Sequence, residues 1–406
     1  MSEPSLERSV GLTAAVGFGL GAMVGTGVFV YTGMAAGMAG PAMLVSLGLA
    51  GIAAACNGLS SAQLAMNFPR SGGTYEYAGR MLSPWAGFLA GWLFLAAKST
   101  SAAATAIGFG AYVGQATGLP PLAVSLTLAG TTIALDLFRL KGAGRINLAL
   151  VSITILSLIA FVAAGAGGVR RENFTPFAPH GAMGVLSAAS LLFVAYAGYG
   201  RVATLGEEIE NPRRNIPTAV VLSLVGAAAI YAAVSWVAIG RSGTWTTLPA
   251  PNRAVEMGVA IGAATAMGAV FLNLLLGLSR MAFAMGRGGD LPGGLAAVNR
   301  FSSPFVSVLV IGTIVGVLIC VGNLVGLVSL SAFSILIYYG LTNVSALRLK
   351  KDQRLVPWFV PAVGLAFCLA LAASVPPKHI AVGAGVLAAG VLWRLLFRPR
   401  GTKQTV

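Results

Sequence analysis

The sequence predicts an all-α integral membrane protein of about twelve transmembrane helices. It is arranged as a 5+5 inverted repeat in which helices 1 and 6 are discontinuous. Three observations lead there. The 406 residues are 57% hydrophobic and only 9% charged, whereas a soluble domain carries about 25% charged residues. Apolar stretches long enough to cross a hydrocarbon core of roughly 30 Å recur along the whole chain. Two of these stretches, roughly 170 residues apart, are broken in the middle by glycine, at Met23-Val24-Gly25-Thr26-Gly27-Val28-Phe29 and at Phe193-Val194-Ala195-Tyr196-Ala197-Gly198-Tyr199-Gly200.

Taken in order, the apolar stretches cover about 12–36, 41–66, 84–113, 119–137, 146–167, 183–204, 216–240, 255–285, 305–322, 325–347, 356–374 and 380–397. The first is too long for a removable signal peptide and lacks a small-residue cleavage site. The third and eighth are each about thirty residues long, as strongly tilted helices require. Short breakers separate the spans: Gly118-Leu119-Pro120-Pro121, Asn211-Pro212, Asp290-Leu291-Pro292 and Gly322-Asn323. No connection holds a separate soluble domain, so residues 1–406 read as a single membrane transport domain. Repeat one runs over about 10–167, repeat two over about 183–347, and two extra helices over about 356–397. Five spans per repeat, an odd number, insert the second repeat upside down relative to the first.

Charge placement predicts orientation. The net charge is +15, a balance that otherwise suits nucleic acid. Nineteen basic residues, Arg213, Arg214, Lys350 and Lys351 among them, fall in the even-numbered connections, the span ends beside them and the tails, against five in the odd-numbered ones. The positive-inside rule then puts both termini in the cytoplasm. The partner is the lipid bilayer, with no nucleic acid. The expected location is the cell membrane, of the bacterial inner-membrane type. Cys56, Cys320 and Cys368 have no metal-ligand spacing, and His180 and His379 sit in outer loops. No convergent acid, base or nucleophile is left for a membrane enzyme, and no metal or cofactor is expected.

Inside a bilayer, backbone groups leave their helical partners only where they line a cavity or bind something. Paired breaks in two halves of a chain are the pattern of a transporter's binding site. N–H groups at Gly25, Thr26 and Gly27, with the positive end of the following half-helix, suit a carboxylate. Carbonyls around Val194, Ala195 and Ala197 suit an ammonium group, so a zwitterion fits between the two.

Four motifs carry a resemblance. Gly25-Thr26-Gly27-Val28-Phe29 resembles the first signature of the amino acid–polyamine–organocation (APC) transporter superfamily, and Phe68-Pro69-Arg70-Ser71-Gly72-Gly73-Thr74-Tyr75 its Pro-x-x-Gly-Gly-x-Tyr turn. Gly206-Glu207-Glu208 through Ile216-Pro217 is similar to its Glu-Glu…Asn-Pro-x-x-x-Ile-Pro stretch. Ser279-Arg280-Met281 through Pro292 is similar to its eighth-span end, with Gly288 standing where the family has Asp. The resemblance implies a leucine-transporter-type fold, alternating access, and a small-molecule substrate that is an amino acid or amine. It implies an amino acid permease, proton-coupled or an exchanger. The alternatives are a polyamine or amine exporter or antiporter, and a non-transporting amino acid sensor. The expected substrate-binding residues are Met23, Gly25, Thr26 and Gly27 with Phe193, Val194, Ala195, Tyr196, Ala197 and Gly198.

Lys98 is the candidate for coupling. It lies in the middle of span 3, where a lysine costs about 2.5–3.5 kcal/mol on insertion scales and marks a functional site by default. Some family members carry a lysine on span 5 in place of bound sodium. Thr154 occupies that position here. The coupling ion is expected to be H+, with Na+ as the alternative. Lys98 also fits as a cap on the carbonyls of a broken helix.

Other features have structural readings. Gly17, Gly21 and Gly25 fit a small-residue packing face. Arg201 is expected to pair with Glu207 or Glu208, and the Glu207–Glu210 run with Arg213, Arg214 or another loop. Asn273, Ser329, Ser331 and Ser334 fit helix-to-helix hydrogen bonds. The sequence leaves substrate identity, transport direction and oligomeric state open.

Overall fold

The computed structural model describes residues 10–68, 72–138, 143–204, 209–243, 248–301 and 303–397. Among these residues the fold is helical throughout, apart from one isolated parallel bridge between Val10 and Ile209. Helices lie over every apolar stretch predicted above. The first span is α1 (Leu12–Met23), a π-helical segment (Gly27–Tyr31) and α2 (Thr32–Ala39); α3 (Met43–Asn67) and the short α4 (Thr74–Met81) follow. Next come α5 (Pro84–Thr117), α6 (Pro121–Phe138), α7 (Ala143–Gly165), α8 (Gly181–Tyr196) and α9 (Gly200–Thr204). The chain continues through α10 (Pro212–Ser242), α11 (Arg253–Arg287), α12 (Phe305–Val321), α13 (Leu324–Leu347), α14 (Phe359–Ala373) and α15 (Pro377–Leu396). Among the described residues, eight helical stretches are long and apolar enough to cross a membrane, and α12 and α14 are shorter.

Boundary residues do what their chemistry allows. Ser83, Asn252 and Asn323 cap α5, α11 and α13, their side-chain oxygens accepting the N–H groups of Ala86, Val255 and Gly326 at 3.1, 3.0 and 2.7 Å. Such caps satisfy backbone donors that the first turn of a helix leaves open. Gly118 ends α5 with φ 76°, in the left-handed region where glycine is free of strain.

Packing divides the helices into two groups. Helix α10 lies on α1 and α3, and α3 also on α8; α5 and α11 pack on each other and on α12, with α6 against α5 and α12. Helix α13 touches both groups, through α5 on one side and α3 and α8 on the other. Small residues make the close approach possible: Ser99 to Ala106 of α5 are all buried, with no large side chain among them. Large apolar side chains such as Leu156, Ile159, Val225 and Val317 point outward, as a lipid-facing surface requires.

Asp290 fastens the last helix. Its carboxylate pairs with Arg394 of α15 and accepts the Tyr75 hydroxyl of α4 at 2.9 Å, and its carbonyl accepts the Trp393 indole N–H at 3.2 Å. Asp290, two residues beyond Gly288, thus ties the turn after α11 to α4 and α15.

Candidate functional site

The first break forms as its residues predict. Helix α1 stops at Met23, and Val24 turns away with ψ 75°, its N–H still bonded to Leu20 O at 2.7 Å. The Gly25 N–H closes a tight turn onto Met23 O at 2.8 Å, and Gly25 O accepts from Val28 and Phe29 as the π-helical segment starts. The Gly25 N–H expected for a substrate carboxylate is therefore engaged within the chain, because the turn folds it back on the carbonyl two residues earlier.

Helix α5 holds the middle of this break. The Thr26 and Thr105 hydroxyls lie 2.7 Å apart, and Thr105 donates to Ser101 O at 2.8 Å, which makes Thr26 the donor between them. One turn along α5, Ser101 Oγ lies 3.3 Å from the Tyr31 hydroxyl. Towards the other end of α5, Tyr112 donates to Phe29 O and accepts from Leu248 N–H, both at 3.0 Å.

The second break is shallower than expected. Phe193 to Tyr196 stay helical, a single 3-10 turn covers Ala197–Tyr199, and α9 resumes at Gly200. The carbonyls of Val194, Ala195 and Ala197, predicted to stand open, all have partners. Val194 O takes the Ala197 N–H, Ala195 O accepts Tyr231 at 3.1 Å, and Ala197 O accepts Tyr339 at 3.4 Å. A 3-10 turn keeps i→i+3 bonds and so frees fewer groups than an unwound segment.

The two breaks meet. The Tyr231 hydroxyl of α10 lies 2.7 Å from Met23 O of the first and 3.1 Å from Ala195 O of the second. Its ring stands edge-on to Tyr196, with centroids 5.2 Å apart. Two glycines make this approach possible. A Cβ on Gly27 would lie 2.5 Å from the Tyr231 hydroxyl oxygen, and one on Gly198 would lie 2.5 Å from Ala22 O. Sequence reasoning missed Tyr231, Thr105 and Tyr339. A tyrosine hydroxyl within an apolar span, as at Ile230-Tyr231-Ala232, was the one available signal.

All ten predicted substrate residues lie at this junction, nine of them buried and Gly198 half-buried. Two clefts of about 450 and 480 Å³ meet at Tyr112 and Gln115, and neither is lined by any of the ten.

Lys98 is half-buried on α5, and among the described residues it has no ion pair or hydrogen bond. It caps no carbonyl of either break. The neighbouring Ala97 carbonyl accepts Ser331 of α13 at 2.9 Å, the helix-to-helix bond expected of that serine. Asn273 bonds back to Ala269 O at 2.9 Å within α11, not across to another helix. Thr154 is satisfied without charge, bonding Leu150 O at 2.9 Å and lying 3.3 Å from both Gly262 O and the Thr265 hydroxyl. Glu207 and Glu208, the expected partners of Arg201, lie outside the described residues. Glu210 joins another segment, its N–H bonding Val10 O at 3.0 Å.

Comparison with known proteins matches this architecture to one family. The amino acid permease family profile covers residues 15–375. An uncharacterized transporter of Mycobacterium tuberculosis is 38% identical over 95% of this chain and 90% of its own. The branched-chain amino acid permease of Bacillus subtilis is 30% identical over 91% and 88%. The methylthioribose transporter of the same organism is 29% identical over 92% and 89%. These relatives are transporters and not enzymes. With a broken first helix set against a broken sixth span, and with the family profile running through both, the chain belongs to the amino acid permease family of the APC superfamily.

Proposed function

We propose that the protein is a secondary active permease that carries amino acids across the cell membrane by alternating access, driven by protons or by exchange. The observation that carries this reading is the Tyr231 hydroxyl, which ties the carbonyl ends of both breaks to one point. Helix ends brought together inside a bilayer form a small polar region in an apolar surround, the setting that a zwitterion needs. The carboxylate sits at Thr26 and Gly27, with Met23 and Gly25 shaping the turn. The ammonium sits at the second break, along Phe193, Val194, Ala195, Tyr196, Ala197 and Gly198. The twelve helices form a 5+5 inverted repeat with both termini in the cytoplasm, and Lys98 is the coupling group. The similarity to a branched-chain amino acid permease favours substrates with neutral side chains.

The test is uptake of radiolabelled amino acids into proteoliposomes. Each substrate is measured with an imposed proton gradient, with a sodium gradient, and with unlabelled substrate inside. Uptake that follows the proton gradient identifies proton coupling, and uptake that needs only internal substrate identifies exchange. A panel of amino acids and amines that binds the purified protein but is never accumulated refutes transport and leaves a sensor.

A further inference from the structure

We infer that Lys98 is the specificity-determining residue that excludes cationic side chains from this site. The inference rests on the proposed position of the zwitterion at the two breaks, and it is separate from any role in coupling.

The register of α5 carries the argument. Thr105 holds Thr26, the centre of the first break, and Ser101 reaches Tyr31 just beyond it. At 100° and 1.5 Å per residue, Lys98 stands about 20° around the helix from Thr105, about 60° from Ser101, and about 10 Å along the axis from Thr105. Lys98 therefore shares the helix face that meets the break. Side chains on a helix lean toward its N-terminus, so Lys98 leans toward Pro84 and away from Thr26. It faces the part of a substrate that extends beyond the zwitterion, and it leaves the zwitterion's own contacts alone.

Its surroundings sharpen the point. Ser99 to Ala106 are all buried, whereas Lys98 is half-buried. The charged groups nearest in sequence, Arg80 and Glu76, pair with each other at 2.5 Å. The part-buried ion pair of α15 joins Arg394 to Asp290. Lys98 has no such partner among the described residues, and Ser331 engages the adjacent Ala97 carbonyl, not the ammonium. A cation without a counter-ion in a low-dielectric site repels a second cation and tolerates a neutral or acidic group. A repulsive element of this kind is a common device of specificity. Coulomb's law for two unit charges about 10 Å apart, at an effective dielectric constant of ~20, gives a bias of more than tenfold against a cationic side chain.

The experiment is equilibrium binding of leucine, glutamate and lysine to the purified protein and to Lys98→Gln, Lys98→Met and Lys98→Arg, with melting temperature as a check on folding. The inference expects the intact protein to favour leucine over lysine by at least tenfold. Lys98→Gln and Lys98→Met should shrink that ratio about tenfold, and Lys98→Arg should keep it. An unchanged leucine-to-lysine ratio in folded Lys98→Gln and Lys98→Met overturns the inference and leaves the proposed permease standing. Failure of every amino acid to bind the intact protein refutes the proposed site, and the inference falls with it. If neither neutral variant folds, Lys98→Arg together with reductive methylation of the intact protein, which keeps the charge, should leave the ratio in place; a lost ratio in both would also overturn the inference.

Discussion

Replacing Tyr231 by phenylalanine removes one oxygen atom from the point where both breaks meet. The hydroxyl has a single hydrogen and two carbonyls within reach, Met23 O at 2.7 Å and Ala195 O at 3.1 Å. After the substitution Met23 O keeps the Gly25 N–H at 2.8 Å, so the first carbonyl stays partly satisfied. Ala195 O loses its tyrosine donor in a place where the residue is 4% exposed and water is scarce. A neutral hydrogen bond contributes about 1 kcal/mol net, and a buried polar group left without its partner costs about 1–3 kcal/mol. About 2 kcal/mol in total is expected, which at 1.4 kcal/mol per factor of ten corresponds to about 30-fold. The measurement is substrate affinity by equilibrium binding, with melting temperature recorded on the same samples. Affinity should fall by about 10–30-fold, with a modest drop in melting temperature, because the ring still fills its space against Tyr196. Affinity within twofold of the intact protein would falsify the view that this hydroxyl sets the geometry of the site.

Three further substitutions probe the same construction. Gly27→Ala pushes a methyl group to 2.5 Å from the Tyr231 oxygen and 2.9 Å from the Ala195 Cβ; transport should be abolished in protein that still reaches the membrane, as membrane-fraction blotting and uptake together would show. Thr26→Val keeps the volume but removes the hydroxyl that reaches Thr105 at 2.7 Å, so substrate affinity should weaken about tenfold, consistent with about 1–2 kcal/mol for a buried hydrogen bond. Arg394→Met leaves the Asp290 carboxylate with the Tyr75 hydroxyl but without its cation. Breaking a fully buried ion pair costs about 3–5 kcal/mol, and this one is part-buried, with both side chains 12% exposed, so a smaller but clear fall in thermal stability with unchanged substrate affinity is expected.

Much of the fold was legible because the bilayer imposes a simple rule on composition, and each predicted apolar stretch carries a helix. The first break was legible for the same reason: Gly25-Thr26-Gly27 interrupts an otherwise apolar run and contains both the flexibility and the hydroxyl that the turn uses. The depth of the second break was not. Ala197-Gly198-Tyr199-Gly200 has the glycines of an unwound segment, yet a 3-10 turn lets the chain keep most of its bonds through it. Propensity does not say which of the two outcomes wins. Tyr231 was illegible for a different reason, since its partners lie 208 and 36 residues away in sequence and only the packing of α10 brings them together. Asp290 shows the opposite case. In a motif that looks imperfect, with the acidic residue two positions late, the turn after α11 carries that carboxylate to Tyr75 and Arg394.

The positions of Thr154 and Lys98 bear on what a membrane-embedded cation does in this architecture. Thr154 joins α7 to α11 through Gly262 O and the Thr265 hydroxyl, and that contact is complete without a charge. A cation placed there would act on the packing of two helices. On α5, Lys98 stands on the face that holds the first break, and it has no partner to neutralise it among the described residues. At the proposed site its field would act on whatever enters and not on a helix contact. A desolvated charge is costly wherever it sits, so its location decides whether that cost stabilises a conformation or discriminates among ligands. In this chain the location favours discrimination, and a neutral residue at position 98 should broaden the range of ligands accepted before it alters the fold.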